Sequence, residues 1–88
     1  MKIYAYSISD ELYALGEQFE KELIQANVNT YLASVYNSDI QEIISFYFED
    51  HDELKRAKDI LRYNRNILSY KERECGDDCW YLDCIILL

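Results

Sequence analysis

Residues 42–61 read EIISFYFEDHDELKRAKDIL, and this stretch decides the architecture. In its first eight residues Ile44, Phe46 and Phe48 fall at every second position, the period of a strand with one buried face. The period then changes. Asp50 followed by Glu53 has the spacing of a capping box, and Leu54, Ala57, Leu61 and Leu68 recur at helical intervals with Ile60 beside them. The pattern predicts a strand over 42–49 that hands over to a helix over 52–65.

Working outward, residues 67–72 return to strand character, Cys75-Gly76-Asp77-Asp78-Cys79 reads as a turn, and 80–87 form a last apolar strand. Upstream, Asn37-Ser38-Asp39 is turn-like and 28–36 read as a strand. Leu12, Leu15, Phe19, Leu23 and Ala26 mark a helix over 10–26, with Ser7 or Ser9 as N-cap and Asn27 as its stop. Residues 2–7 alternate, with Ile3 and Ala5 on one side and Tyr4 and Tyr6 on the other. The order β-α-β-β-α-β matches the ferredoxin-like pattern, an α+β class with two helices packed on one face of an antiparallel sheet. An additional C-terminal β-strand follows through a hairpin. That architecture carries no function by itself.

The 88 residues suffice for one domain, and half of them are hydrophobic, which excludes a disordered chain. Met1-Lys2 leads into a short alternating run rather than an apolar secretory segment, and no stretch reaches the ~20 apolar residues of a membrane span. A cytoplasmic protein is expected, in the host cytoplasm if virus-encoded. The net charge is −8, unevenly spread. Residues 1–53 hold 11 acids and 2 bases, 54–73 hold 7 bases and 2 acids, and 74–88 hold 4 acids and no base.

The acids Asp10, Glu17, Glu20, Asp39, Glu42, Glu49 and Asp50, with Tyr13 among them, form the candidate surface for a partner. Carboxylates interleaved with tyrosine hydroxyls complement a basic protein and can occupy a site that otherwise receives nucleic-acid phosphates. Lys55, Lys58, Arg62 and Arg65 form an alternative basic stripe at helical spacing. The overall charge speaks against direct nucleic-acid binding.

Chemistry is sparse. Cys75, Cys79 and Cys84 are three, an odd number that does not suit a secreted disulfide framework. Cys75 and Cys79 flank a turn and could bridge it, but small half-buried thiols are the expectation. A zinc site would need His51 or one of Asp77, Asp78 and Asp83 as a fourth ligand, so no metal and no cofactor are expected. His51 sits at a helix start among acids without a nucleophile motif, and reads as part of the cap. No enzyme activity is expected.

Nine tyrosines outnumber three Phe and one Trp, and Tyr4, Tyr6, Tyr31 and Tyr47 fall on strands. A sheet with helices on one side leaves the other face open, where tyrosines would form an aromatic platform or a protein interface. RNA-binding modules of this topology stack bases on such a platform but surround it with basic groups. The first and third strands here lack that basic surround. The terminal Ile85-Ile86-Leu87-Leu88 has no polar gatekeeper, so it must pair inside the sheet or build a homodimer.

The composite expectation is a small acidic, non-enzymatic inhibitor that blocks a basic nucleic-acid-handling protein. Phage or mobile-element anti-defence proteins of the anti-CRISPR type are one setting. The alternative is a ferredoxin-like regulatory or sensory domain that dimerises and binds a small effector.

Overall fold

The structure, a computed structural model, describes residues 10–37 and 40–87. Its elements are α1 (Asp10–Gln25), β1 (Tyr31–Asn37), β2 (Glu42–Phe48), α2 (His51–Leu61), β3 (Ile67–Gly76) and β4 (Cys79–Ile86). The expected strand 2–7 with Tyr4 and Tyr6, the N-cap at Ser7 or Ser9 and the turn residue Asp39 lie outside the described residues. None of the described helices is long and apolar enough to cross a membrane.

The fold is α+β, with both helices on one face of a four-stranded antiparallel sheet of order β1-β2-β4-β3. The C-terminal strand lies between β2 and β3, the position that the ferredoxin-like pattern gives to its N-terminal strand. The reason is compositional. β4 presents Leu82, Cys84 and Ile86 to the helices and keeps Ile85 on its other side, so it gains most from a neighbour on each flank. β3 carries Lys71, Glu72, Arg73 and Glu74 and tolerates the outer position.

Leu12, Phe19 and Leu23 of α1 and Leu54, Ala57 and Leu61 of α2 meet Ile44, Phe46, Phe48, Leu82, Cys84 and Ile86 in a single core. Burial pushes the Cys84 thiol up to about 12, so it behaves as a small apolar side chain. Gly16 lies where α1 crosses β1, and a Cβ there would stand 3.3 Å from Val35 Cγ2.

The elements differ from the sequence reading in several details: β3 runs on to Gly76, β4 starts at Cys79, and three further differences have a local reason. Strand β1 begins at Tyr31 rather than residue 28, because α1 ends in a Schellman motif. Asn27 turns left-handed at φ 63°, and the Val28 N–H donates to the Leu23 carbonyl at 2.9 Å. This draws Val28 into the core. Helix α2 stops at Leu61, where the Leu61 carbonyl accepts from both the backbone and the side chain of Asn64. Leu68 therefore lies on β3 and is exposed instead of sharing the helix stripe. Third, Asp50 caps α2 by accepting from the Asp52 N–H, but Glu53 does not close the box. Its carboxylate accepts instead from the Asn29 N–H at 2.9 Å and from Arg56.

Replacing Gly16 by leucine forces side-chain atoms against Val35 and Leu32. We expect a loss of about 1–3 kcal/mol, the usual range for overpacking. The measure is urea unfolding, and an unchanged midpoint would contradict the close approach.

Candidate functional site

Because β2 and β4 turn every second side chain to the helices, the intervening residues occupy the opposite, helix-free face. The pairing of the strands arranges them in three rows. Tyr31, Tyr47, Tyr81 and Arg73 are consecutive partners across all four strands. Ser34, Ser45, Asp83 and Lys71 form the next row, and Tyr36, Ile43, Ile85 and Ser69 the third. A bulge in β1 between Leu32 and Ser34 keeps β1 in step with both rows.

The first row is continuous. The Tyr31 and Tyr47 rings are 5.2 Å apart and tilted, the Tyr47 and Tyr81 rings 5.5 Å apart and edge-on, and the Arg73 guanidinium sits 4.7 Å from the Tyr81 centroid. These spacings are those of favourable aromatic and cation–π pairs.

Beside it, in the next row, lies a buried polar knot. Asp83 and Ser45 are both buried. Arg73 donates to both Asp83 oxygens, at 2.6 and 2.9 Å, and the Ser45 hydroxyl donates at 2.6 Å. Burial pushes the Asp83 carboxyl up, but the hydrogen bonds from Arg73 and Ser45 outweigh it and hold the group below its ordinary value. Asp83, a weighed zinc ligand, is thus committed to an internal ion pair. Among the described residues no cluster of three or more His, Cys, Asp or Glu side chains could hold a metal ion.

At the β1 end of the row, Asn29, Thr30, Tyr31, Tyr47 and Glu49 line a depression of about 120 Å³. The Thr30 hydroxyl donates to the Tyr47 carbonyl at 2.7 Å and fixes the wall. Burial first, and then the Glu49 charge, raise the Tyr47 hydroxyl above its ordinary value, so it stays protonated.

The acids singled out from the sequence are distributed rather than gathered. Asp10, Tyr13 and Glu17 are exposed on α1. Glu20, on the same stripe, turns to β1 and accepts the Leu32 N–H at 2.7 Å, so it serves as a structural tie. Glu42 opens β2 opposite Asn37, whereas Glu49 and Asp50 follow its far end, separated by the ~3.4 Å rise of each intervening residue. Asp50 is engaged as the α2 cap. Of the set, Glu49 alone lines the depression beside the tyrosine row.

The basic stripe is also divided. Lys55 is exposed, Lys58 pairs with Glu72 at 3.0 Å, Arg62 is the C-cap and bonds Tyr63, and Arg65 lies in the turn beyond the helix. His51 is the first residue of α2. Its Nε2 is 2.8 Å from Glu72 and its ring 4.3 Å from Trp80, a tie between helix and sheet. The bonds from His51 and then Lys58 hold the Glu72 carboxyl below its ordinary value.

The cysteine expectation is corrected in part. Cys75 and Cys79 are disulfide-bonded across the β3–β4 turn, with Cα atoms 5.1 Å apart, while Cys84 is a buried thiol. Hairpin pairing brings the first two within bridging reach, which the four-residue spacing permitted without deciding.

Sequence reasoning missed Tyr81, Arg73 and Ser45. The alternation of β2 and β4 was the signal for Ser45 and Tyr81, but which strands are neighbours, and hence the place of Arg73 on β3, is a tertiary fact.

No family model matches the sequence, and neither a curated protein nor a solved structure matches it.

The Asp83 pair predicts a pH dependence. The ordinary carboxyl value is 3.8 and the folded value lies below it. The pair's contribution is therefore present above about pH 4 and is lost as pH falls through the lowered value. Asp83→Asn should flatten the acid limb of urea midpoints measured between about pH 2 and 5. Parallel curves for the variant and the parent would count against this role.

Proposed function

We propose that this chain is a non-enzymatic protein-binding module that docks a basic partner. The observation that carries the reading is the row Tyr31–Tyr47–Tyr81 on the helix-free sheet face, with Glu49 at its rim. Tyrosine supplies large contact area at low entropic cost and is enriched where proteins bind one another. A net charge of −8 steers positively charged surfaces toward it and repels phosphate backbones.

α1 adds a second acidic patch on the other side of the sheet. Asp10, Tyr13 and Glu17 lie exposed on the helix that covers β1, and Glu20 holds that helix against the strand bearing Tyr31 and Tyr36. The partner best suited to carboxylates beside tyrosines is a protein whose own function is to hold nucleic acid, because its cationic groups are spaced for phosphates. Occupying them blocks it stoichiometrically, the mode expected of an anti-defence inhibitor of phage or mobile-element origin working in the host cytoplasm.

A second reading is favoured by the apolar row Tyr36–Ile43–Ile85 on the same face. A second copy would cover it, as in a dimeric regulatory domain with an effector at its interface.

The test is a tagged pull-down from nuclease-treated lysate of the native host, in parallel with a variant carrying Glu17→Lys, Glu42→Lys and Glu49→Lys. A basic nucleic-acid-binding protein should be recovered by the parent, released by high salt, and recovered at least tenfold less by the variant. Equal recovery by both would sink the proposal. A bait that elutes alone as a dimer would favour the effector-binding domain.

A further inference from the structure

We infer that the depression formed by Tyr31, Tyr47 and Glu49 is a socket for one arginine side chain of the partner. The inference rests on the protein-binding reading above and names the chemistry of its contact.

Three properties of the corner select a guanidinium. The first is size. A depression of about 120 Å³ has room for a small planar group such as a guanidinium. The second is the wall. Two tyrosine rings, 5.2 Å apart and tilted by 34°, line the corner, and an aromatic wall suits a planar, weakly hydrated guanidinium better than an ammonium. The third is charge. Glu49 is exposed at the rim and supplies a carboxylate whose geometry matches the guanidinium fork. Asn29 also lines the depression, its backbone N–H fixed by Glu53.

The opposite end of the same row already displays this kind of contact. Arg73 stacks on Tyr81 at 4.7 Å while its nitrogens bond the Asp83 carboxylate at 2.6 and 2.9 Å. An aromatic face with a carboxylate beside it thus holds a guanidinium within this protein. At the β1 end the aromatic faces and the carboxylate recur without the arginine. Among the described residues, cations stack over Tyr63, Tyr70 and Tyr81, and none over Tyr31 or Tyr47. Tyr31 is 54% exposed, so the face is open to an incoming side chain.

The experiment is a titration of the ¹⁵N-labelled protein with a capped hexa-arginine peptide at low salt, followed by amide and tyrosine-ring shifts. Saturable shifts should centre on Asn29, Thr30, Tyr31, Tyr47 and Glu49. Tyr31→Leu and Glu49→Gln should each weaken binding two- to fivefold, the range of an exposed cation–π or ion-pair contact. Tyr31→Phe keeps the ring and should keep the affinity, while Asp59→Asn, exposed on α2, should leave the corner shifts in place. Tyr31 and Glu49 are both exposed, and the dispersion of each variant's spectrum reports that it is folded. Saturable binding with shifts confined to α1, or affinity unaltered by both Tyr31→Leu and Glu49→Gln, would overturn the socket and leave the protein-binding reading standing. Absence of any saturable shift overturns both.

Discussion

A carboxylate without helices above it holds the centre of this sheet together. Asp83 lies on β4, between two strands, and is almost fully removed from water. A buried charge costs several kcal/mol unless it is paired and hydrogen-bonded. Arg73 from one neighbouring strand and Ser45 from the other meet that demand together. A slip of one residue on either side would turn those partners to the opposite face and leave the carboxylate uncompensated. The ion pair therefore selects the register of three strands. That same register places Tyr47 opposite Tyr81 and Tyr81 opposite Arg73. The polar knot and the aromatic row are two consequences of one alignment.

The helical layer depends on a second set of polar ties, all at one junction. Arg56 of α2 donates to the carbonyls of Ala26 and Asn27, where α1 has ended and its last acceptors lack helical partners. Glu53, one turn earlier, accepts from the Asn29 N–H and steadies Arg56. Glu20 takes the Leu32 N–H. The loop 26–30 is thus pinned from both helices just before β1 begins. This is why Asn29, Thr30 and Tyr31 can form a defined wall: loop residues usually recognise ligands well only when a rigid scaffold positions them.

Much of the fold could be read from residues 42–61, because a strict two-residue period that turns helical within a few positions leaves little choice. Both described helices and all four described strands follow from such periods. What escaped was partnership. The gatekeeper-free sequence of β4 demanded company without saying on which strand, since pairing is long-range and the sheet is built from non-adjacent segments. The candidate site suffered most from this. Glu49 was singled out as one acid among several, and Tyr31 and Tyr47 as strand tyrosines, but their meeting requires the β1–β2 register and a pinned loop. Glu20 and Asp50 illustrate the converse. Their type and spacing fit a charged surface, yet each is spent on a backbone N–H, because an orphan donor at a strand edge or a helix start binds a nearby carboxylate.

A row of aromatic rings on an open sheet invites comparison with nucleic-acid platforms, and our proposal of a protein partner instead rests on charge. Stacking a base requires only a π face, but the attached backbone must be neutralised, and most of the affinity comes from that step. On this face the cation nearest the rings, Arg73, already has both of its productive hydrogen-bonding edges on Asp83. Lys71, in the next row, is left to offset the acids at the other end. A strand of phosphates laid along the tyrosines would approach Glu49 with nothing to compensate it. The same geometry is favourable when the incoming group is a cation: the rings present their negative faces, the carboxylate adds a full charge, and the protein's net charge draws the ligand in rather than holding it off. In the proposed reading, the sign of the rim, not the presence of the rings, sets what this surface binds.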